Sequence, residues 1–437
     1  MGSKLAVLRN GLLTLCLCAP VLPSAAQRLP DRTNRRPVPV SFRVAVDGWT
    51  RLESRTFADY RSGSGDDPDF TYSRLRLSLR PERVAPTTRI GFLFQPQVSF
   101  RQITGALPAT GNVRRETIDF HQALLEGAFG DRWAWRAGRQ ELEYGGGRLI
   151  AASGWTYCGR AFDAGWGRFR SGTSRIDLFA GRLGQAANQA NAPYLAGIYA
   201  TLSPDSRHRS ELYILSKTDR VSGNGVAVRT FGMRTERHAG DWSGTVELAG
   251  QIGRNAGKEI RAAAGYVEAG REIGGRLPMR VWGEFAFATG GDPANPRRYG
   301  TFDQMFPNNH FLYGIADVQG WRNMTDLCLR WRIRPNARGT VTLEGHRFRL
   351  ADPRDFWYAD NGAPNRNRTG KALRDPSGAA GTDIGREFDL YGSVRATDRV
   401  TVSGGIARFL PGRFVRSVNG GDSHPSTWIY TQTNYSF

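Results

Sequence analysis

From Ser73 to Arg80 the chain reads Ser-Arg-Leu-Arg-Leu-Ser-Leu-Arg. Successive side chains of a strand point to opposite faces, so Leu75, Leu77 and Leu79 fall on one side and Arg74, Arg76 and Arg80 on the other. A sheet in water turns its charged face to solvent. A transmembrane barrel turns its apolar face to lipid and keeps the arginines in a water-filled lumen. The same alternation recurs to the end of the chain, as where Trp242, Val246, Leu248 and Ile252 interleave with Ser243, Thr245, Glu247 and Gln251. That recurrence points to the second environment.

A hydrophobic share of 40% is low for a membrane protein built from helices. No apolar run of helix-spanning length follows the N-terminus, which excludes a helical bundle, whereas a barrel needs only every second residue of a strand to be apolar. About eighteen alternating segments can be drawn, from 41–53 and 72–80 at the start to 400–410 and 426–437 at the end. The fold class expected is therefore all-β, a transmembrane antiparallel barrel of about 18 strands with no internal domain boundary. Short turns such as 335–339 alternate with long polar segments at 290–324 and 351–385, the long ones expected outside the cell and the short ones in the periplasm.

The N-terminus sets the compartment. Lys4 and Arg9 precede a short apolar run, 11–22, and the small residues Ser24-Ala25-Ala26, which together read as a cleaved secretory signal over 1–26. Residues 27–40 read as an irregular lead-in, and 41–437 as the barrel, placed in the outer membrane of a Gram-negative bacterium. Cys158 and Cys328 are then the only cysteines left, too few for a disulfide framework and without metal-ligand spacing along the chain. No cofactor or metal is expected. The last strand, Trp428 to Phe437, ends on an aromatic with Tyr435 two residues before it. Joined to the secretion signal, this reads as the mark recognised by the barrel assembly machinery, with Tyr435 and Phe437 as its signal residues.

Net charge is +20, and of the 60 Lys and Arg residues lysine stands only at 4, 217, 258 and 371. The excess over acids calls for an anionic partner: nucleic acid, lipopolysaccharide of the outer membrane, or an anionic solute in the lumen. Secretion excludes nucleic acid.

Four ordered blocks resemble the alginate export family of outer-membrane barrels. They are Gly138-Arg139-Gln140-Glu141 with Tyr144-Gly145, Gly147-Arg148-Leu149, Trp155 and Phe162-Asp163; Phe302 to Pro307 with His310, Tyr313 to Asp317 and Asn323; Gly385 to Leu390; and Phe409-Leu410-Pro411-Gly412. The resemblance implies an 18-stranded barrel with a cationic constriction that passes a polyuronate. By pattern, the lumen candidates are Arg74, Arg76, Arg139, Arg148, Arg330, Arg332 and Arg395, with Asp163, Glu387 and Asp389 as acids beside them that keep each contact exchangeable. Guanidinium suits this work because it stays charged and meets a carboxylate with paired donors. The solute expected is an anionic polysaccharide or its fragments.

An enzyme is not expected. The chain has six histidines, and Gly-x-Ser-x-Gly is absent. Asp66-Asp67-Pro68-Asp69 reads as a solvated loop tip, and Gly145-Gly146-Gly147 lacks the strand-to-helix context and lysine of a phosphate loop. Two other functions fit the same barrel: a general anion-selective porin for small solutes, and a structural or adhesive surface barrel that works through its loops.

Overall fold

The structure, a computed structural model, describes residues 42–437 apart from 59, 62–67, 82–89, 105–112, 185–191, 220–224 and 368–369. The signal segment and the lead-in, like Asp66 and Asp67, lie outside the described residues. Nineteen strands follow one another in the chain. One of them, β14 (Arg298–Tyr299), is a two-residue segment lying parallel to the start of β12 (Lys258–Ile273). The other eighteen form a single antiparallel ring in sequence order, closed where β1 (Phe42–Thr56) pairs with β19 (Ser426–Ser436). Among the described residues no helix is long and apolar enough to cross a membrane. The expected barrel of 18 strands is what forms, and each sequence segment lies on one strand.

Closure has a physical cause. In hydrocarbon no water is present to satisfy a strand edge, so the sheet must meet itself. The seam runs from Asp47 opposite Ser436 to Thr56 opposite Thr427. Phe437 completes it: its N–H donates to Val46 O at 2.8 Å and its carbonyl accepts from Val46 N at 2.9 Å. The Arg399 guanidinium lies 5.4 Å from its ring centre. On the outer face Tyr435 lies across Gly48, where a Cβ would come within 2.6 Å of the ring.

Alternation is kept around the ring. Leu75, Leu77, Leu248, Leu329, Phe388 and Ile429 are exposed on the outer face, whereas Arg74, Arg76, Glu247, Arg330, Glu387 and Trp428 are buried on the inner one. A shift of one residue in any strand would exchange these sets, so register is pinned by both solvents at once. Described connections at one end are tight, as at 172–173, 206–207 and 337–338, and β1 begins and β19 ends there. The long segments 141–161, 289–323 and 350–382 all leave from the opposite end. Connection length thus separates the two ends, as a barrel inserted from the periplasm requires.

Two outcomes follow from this arrangement. Deleting Phe437 should lower the fraction of heat-modifiable barrel in outer-membrane preparations, read on unheated gels. Leu329→Arg, which sets a charge on the lipid face at mid-strand, should cost about 2–4 kcal/mol in denaturant unfolding from lipid.

Candidate functional site: the lumen and its loops

Three long connections turn inward and knit into one body. Arg148, on the segment 141–161, stacks its guanidinium 3.3 Å from the ring centre of Tyr266 on β12. Trp155, on the same segment, lies 3.6 Å from the Arg51 guanidinium on β1 and edge-on to Trp428 and Tyr430 on β19. One connection therefore touches walls far apart in the ring. It crosses the lumen.

Phe306 N–H donates to Leu149 O and Ala151 N–H donates to Phe306 O, which joins this segment to 289–323. Arg160 binds the pair by donating to Ala151 O, Phe306 O and Pro307 O, and burial lowers its pKa to about 10. The third segment, 350–382, is tied in by Asn323, whose amide donates to Asp352 O and Phe356 O, and by Trp357, whose indole donates to Gln319 Oε1. Trp321, Trp357, Tyr313 and Phe302 are fully buried in this body. Aromatic packing of this extent holds a loop in place where turns alone would not.

Backbone strain collects in the same body. Ser153, Met305, Asp317 and Asn323 all take positive φ, between 44° and 59°. Gly314 has φ 81°, and a Cβ there would stand 2.3 Å from Glu387 Oε1. Only glycine lets the chain rest on that carboxylate. The next two residues use the same wall: Ala316 N–H donates to Glu387 Oε1 at 2.9 Å and Ile315 N–H to Asp389 Oδ2 at 3.2 Å.

The residues singled out in the sequence separate into three groups. Arg74, Arg76 and Arg330 face the lumen but are committed to holding the loops. Arg74 donates to Gly154 O and Thr156 O, Arg76 pairs with Glu141 at 3.4 Å, and Arg330 pairs with Glu344 and Glu284 and donates to Leu312 O. Glu387 and Asp389 also face inward, and they hold backbone N–H groups instead of balancing arginines. Arg148 belongs to the crossing segment, not to the wall.

Arg332 and Arg395 form the second group. Both lie in the inward phase near the short-turn end, Arg332 close to the end of β15 (Met324–Asn336) and Arg395 as the last residue of β17 (Asp383–Arg395). Among the described residues neither has a carboxylate within ion-pair distance. Arg175, second in β7 (Ser174–Leu183), shares that condition.

The third group corrects the sequence reading. Gln140 and Phe162 pair across β5 (Trp133–Gln140) and β6 (Phe162–Ser171), and both are fully buried inside. Arg139 and Asp163, adjacent to them, therefore point outward, joined by two hydrogen bonds of 2.7 and 3.2 Å. Counting from Trp166, which is inward, gives the same outer face.

Inward arginines that the sequence reading passed over include Arg51, Arg168, Arg234 and Arg280. The same count would have found them: Arg168 is two residues from Trp166. They are paired, Arg168 with Asp177 at 2.6 and 2.7 Å, Arg234 with Glu211 and Glu236, and Arg280 with Glu268.

The profile of the alginate export family matches residues 40–428, nearly the whole barrel. The chain belongs to the alginate export family. No curated protein sequence matches it. Several solved structures from Pseudomonas aeruginosa are similar in fold. OccK7 (OpdD) is 10% identical with a TM-score of 0.59, covering 90% of this chain and 99% of its own. OccK5 (OpdH) is 9% identical with a TM-score of 0.57, covering 90% and 98%. OccD3 (OpdP) is 9% identical with a TM-score of 0.56, covering 90% and 91%. At such identities the likeness is one of fold alone, a closed antiparallel barrel of 18 strands.

Within the alginate export barrel, burial raises two acids of the crossing segments, whereas Asp303, paired with Lys217, is lowered. Burial lifts Asp317 to about 8 against the pull of Arg55 and Arg51, and lifts Asp360 to about 7. Desolvation, helped by Arg51, drops His310 to about 3, so the 2.9 Å hydrogen bond between His310 Nδ1 and Asp317 joins two uncharged groups at neutral pH. A carboxyl raised in the closed arrangement stabilises it fully below the ordinary carboxylate range and progressively less as pH rises to the raised value. Opening would also return His310 to its ordinary value, which favours the open arrangement below about pH 6.5. The climb in open probability in planar bilayers should therefore concentrate between about pH 6.5 and 8, and Asp317→Asn should flatten it.

Proposed function

We propose that this barrel passes acidic polysaccharide, a polyuronate or its fragments, across the outer membrane, and that the crossing segments move aside for it. The observation that carries the reading is the condition of Arg175, Arg332 and Arg395. They face the lumen from strands β7, β15 and β17 near the short-turn end, with no carboxylate partner among the described residues, whereas Arg51, Arg76, Arg168, Arg234, Arg280 and Arg330 each have one. Unmatched guanidinium groups at a mouth lower the entry barrier for an anion and offer it paired donors. The family supports the same substrate class. Acids elsewhere in the wall keep the field from becoming a trap.

Arg139 and Asp163, on the outer face, belong to a different surface, where phosphate groups of lipopolysaccharide are the anions within reach. That gives an internal control. In planar bilayers the pore should prefer anions, more weakly as salt screens the charges, and Arg332→Glu with Arg395→Glu should reduce or invert the preference. Arg139→Glu should leave it unchanged. A cation-selective wild type would overturn the reading.

Passage of polymer is separable from passage of small anions. An oligouronate spans several arginines at once, and contacts of about 1 kcal/mol each sum over linked sites, so three of them tighten binding on the order of a hundredfold. Oligouronates should block chloride current at correspondingly lower concentration than a uronate monomer, and neutral oligosaccharides of equal length should block poorly. Equal block by charged and neutral oligomers would favour a general porin.

A further inference from the structure

Three adjacent strands of the lumen wall carry a compact grid of metal-ligating residue types. Cys328 on β15 stands opposite His346 on β16 (Gly339–Arg349), and His346 opposite Glu387 on β17. One step along, Arg330 stands opposite Glu344, and Glu344 opposite Asp389. Asp326 flanks the first row. All seven are buried, none more than 7% exposed.

The charges do not balance. Asp326, Glu344, Glu387 and Asp389 face one arginine, Arg330, which is shared with Glu284. Asp177, by contrast, has Arg168 to itself. Here Glu344 Oε1, Glu387 Oε2 and Asp389 Oδ1 have no hydrogen-bond donor among the described residues. Buried carboxylate oxygens left in this condition are costly, and either a cation or shared protons must relieve them.

Geometry favours a cation. One ligand atom each from Glu344, His346 and Asp389 lies within 4.8 Å of the other two. His346 Nδ1 stands 2.8 Å from Asp326 Oδ2, so an imidazole carrying its N–H there would turn the Nε2 lone pair to an ion in the grid. Nε2 stands 3.6 Å from Glu344 Oε1 and 3.5 Å from Cys328 Sγ. Bonds of about 2.0–2.3 Å in a tetrahedral zinc site set its ligands roughly 3.3–3.6 Å apart.

We propose that Glu344, His346 and Asp389 bind a divalent transition-metal ion of the zinc type, with Asp326 orienting the histidine and the Cys328 thiol at the edge of the site. Imidazole with two carboxylates suits zinc; calcium and magnesium want six or more oxygens, and Arg330 already occupies Oε2 of Glu344. Asp389 would then serve two masters at once, the ion through Oδ1 and the Ile315 N–H through Oδ2. The ion would stiffen the wall where the 289–323 segment is seated.

The test uses the full chain purified in detergent, stripped with a chelator, titrated with zinc chloride and desalted before elemental analysis. One zinc per chain is expected, and cobalt chloride in its place should give the intense visible absorption of a low-coordinate site. His346→Gln and Asp389→Asn, checked for folding by heat-modifiable migration, should each weaken zinc uptake more than about tenfold, as should Asp326→Asn. Should the variants not fold, the wild-type cobalt spectrum decides alone. A folded wild type that takes up no zinc, zinc uptake unchanged in the folded variants, or calcium bound in preference to zinc would each overturn the assignment, the first leaving shared protons as the relief.

Discussion

Every feature of this protein depends on the absence of water around the outer face of its sheet. A strand edge in hydrocarbon strands N–H and C=O groups at several kcal/mol each, so the ring has to close. Closure fixes an inside and an outside, and the two-residue period of a strand then assigns every side chain to lipid or to lumen. Leu75 and Arg76, or Leu329 and Arg330, are neighbours in the chain and sit in different solvents.

The lumen inherits the opposite problem. It collects the charges that the outer face rejects, arginines and carboxylates together. Two uses of arginine result. Near mid-barrel, Arg51, Arg74 and Arg330 spend their donors on carbonyls and rings of the crossing segments, where desolvation strengthens each contact. Near the short turns, Arg175, Arg332 and Arg395 are left facing the opening. The first set ties the crossing segments to the wall, and the second is the set on which the proposed anion passage rests.

The closed lumen is held by polar contacts at a few points and by aromatic packing between them. Trp155 is the clearest case, sandwiched between the Arg51 guanidinium and the His310 ring, each at 3.6 Å. Glu387 and Asp389 hold the backbone at 315–316 as an anion is held by N–H groups. Such contacts exchange without unfolding the wall, which is what a movable plug on a rigid barrel requires.

Strand number, ring order and the faces of most residues could be read directly from the chain, because a two-residue period with a strong polarity contrast leaves little freedom. Arg74, Arg76, Arg330, Arg332 and Arg395 were placed on the correct face by that period alone. Arg139 and Asp163, expected in the lumen, fall on the outer face because their neighbours Gln140 and Phe162 take the inner one. What the sequence could not disclose is which inward charges find partners. That depends on residues adjacent across strands, such as His346 beside Cys328 and Glu387, and on loops whose irregular backbone carries no period at all. The long segments announce themselves only as polar and rich in turns, whereas their fully buried tryptophans become meaningful once a ring of side chains surrounds them. Local alternation determined the barrel; only its closure decided what fills it, since contacts across the lumen join positions whose separation along the chain has no periodic signature.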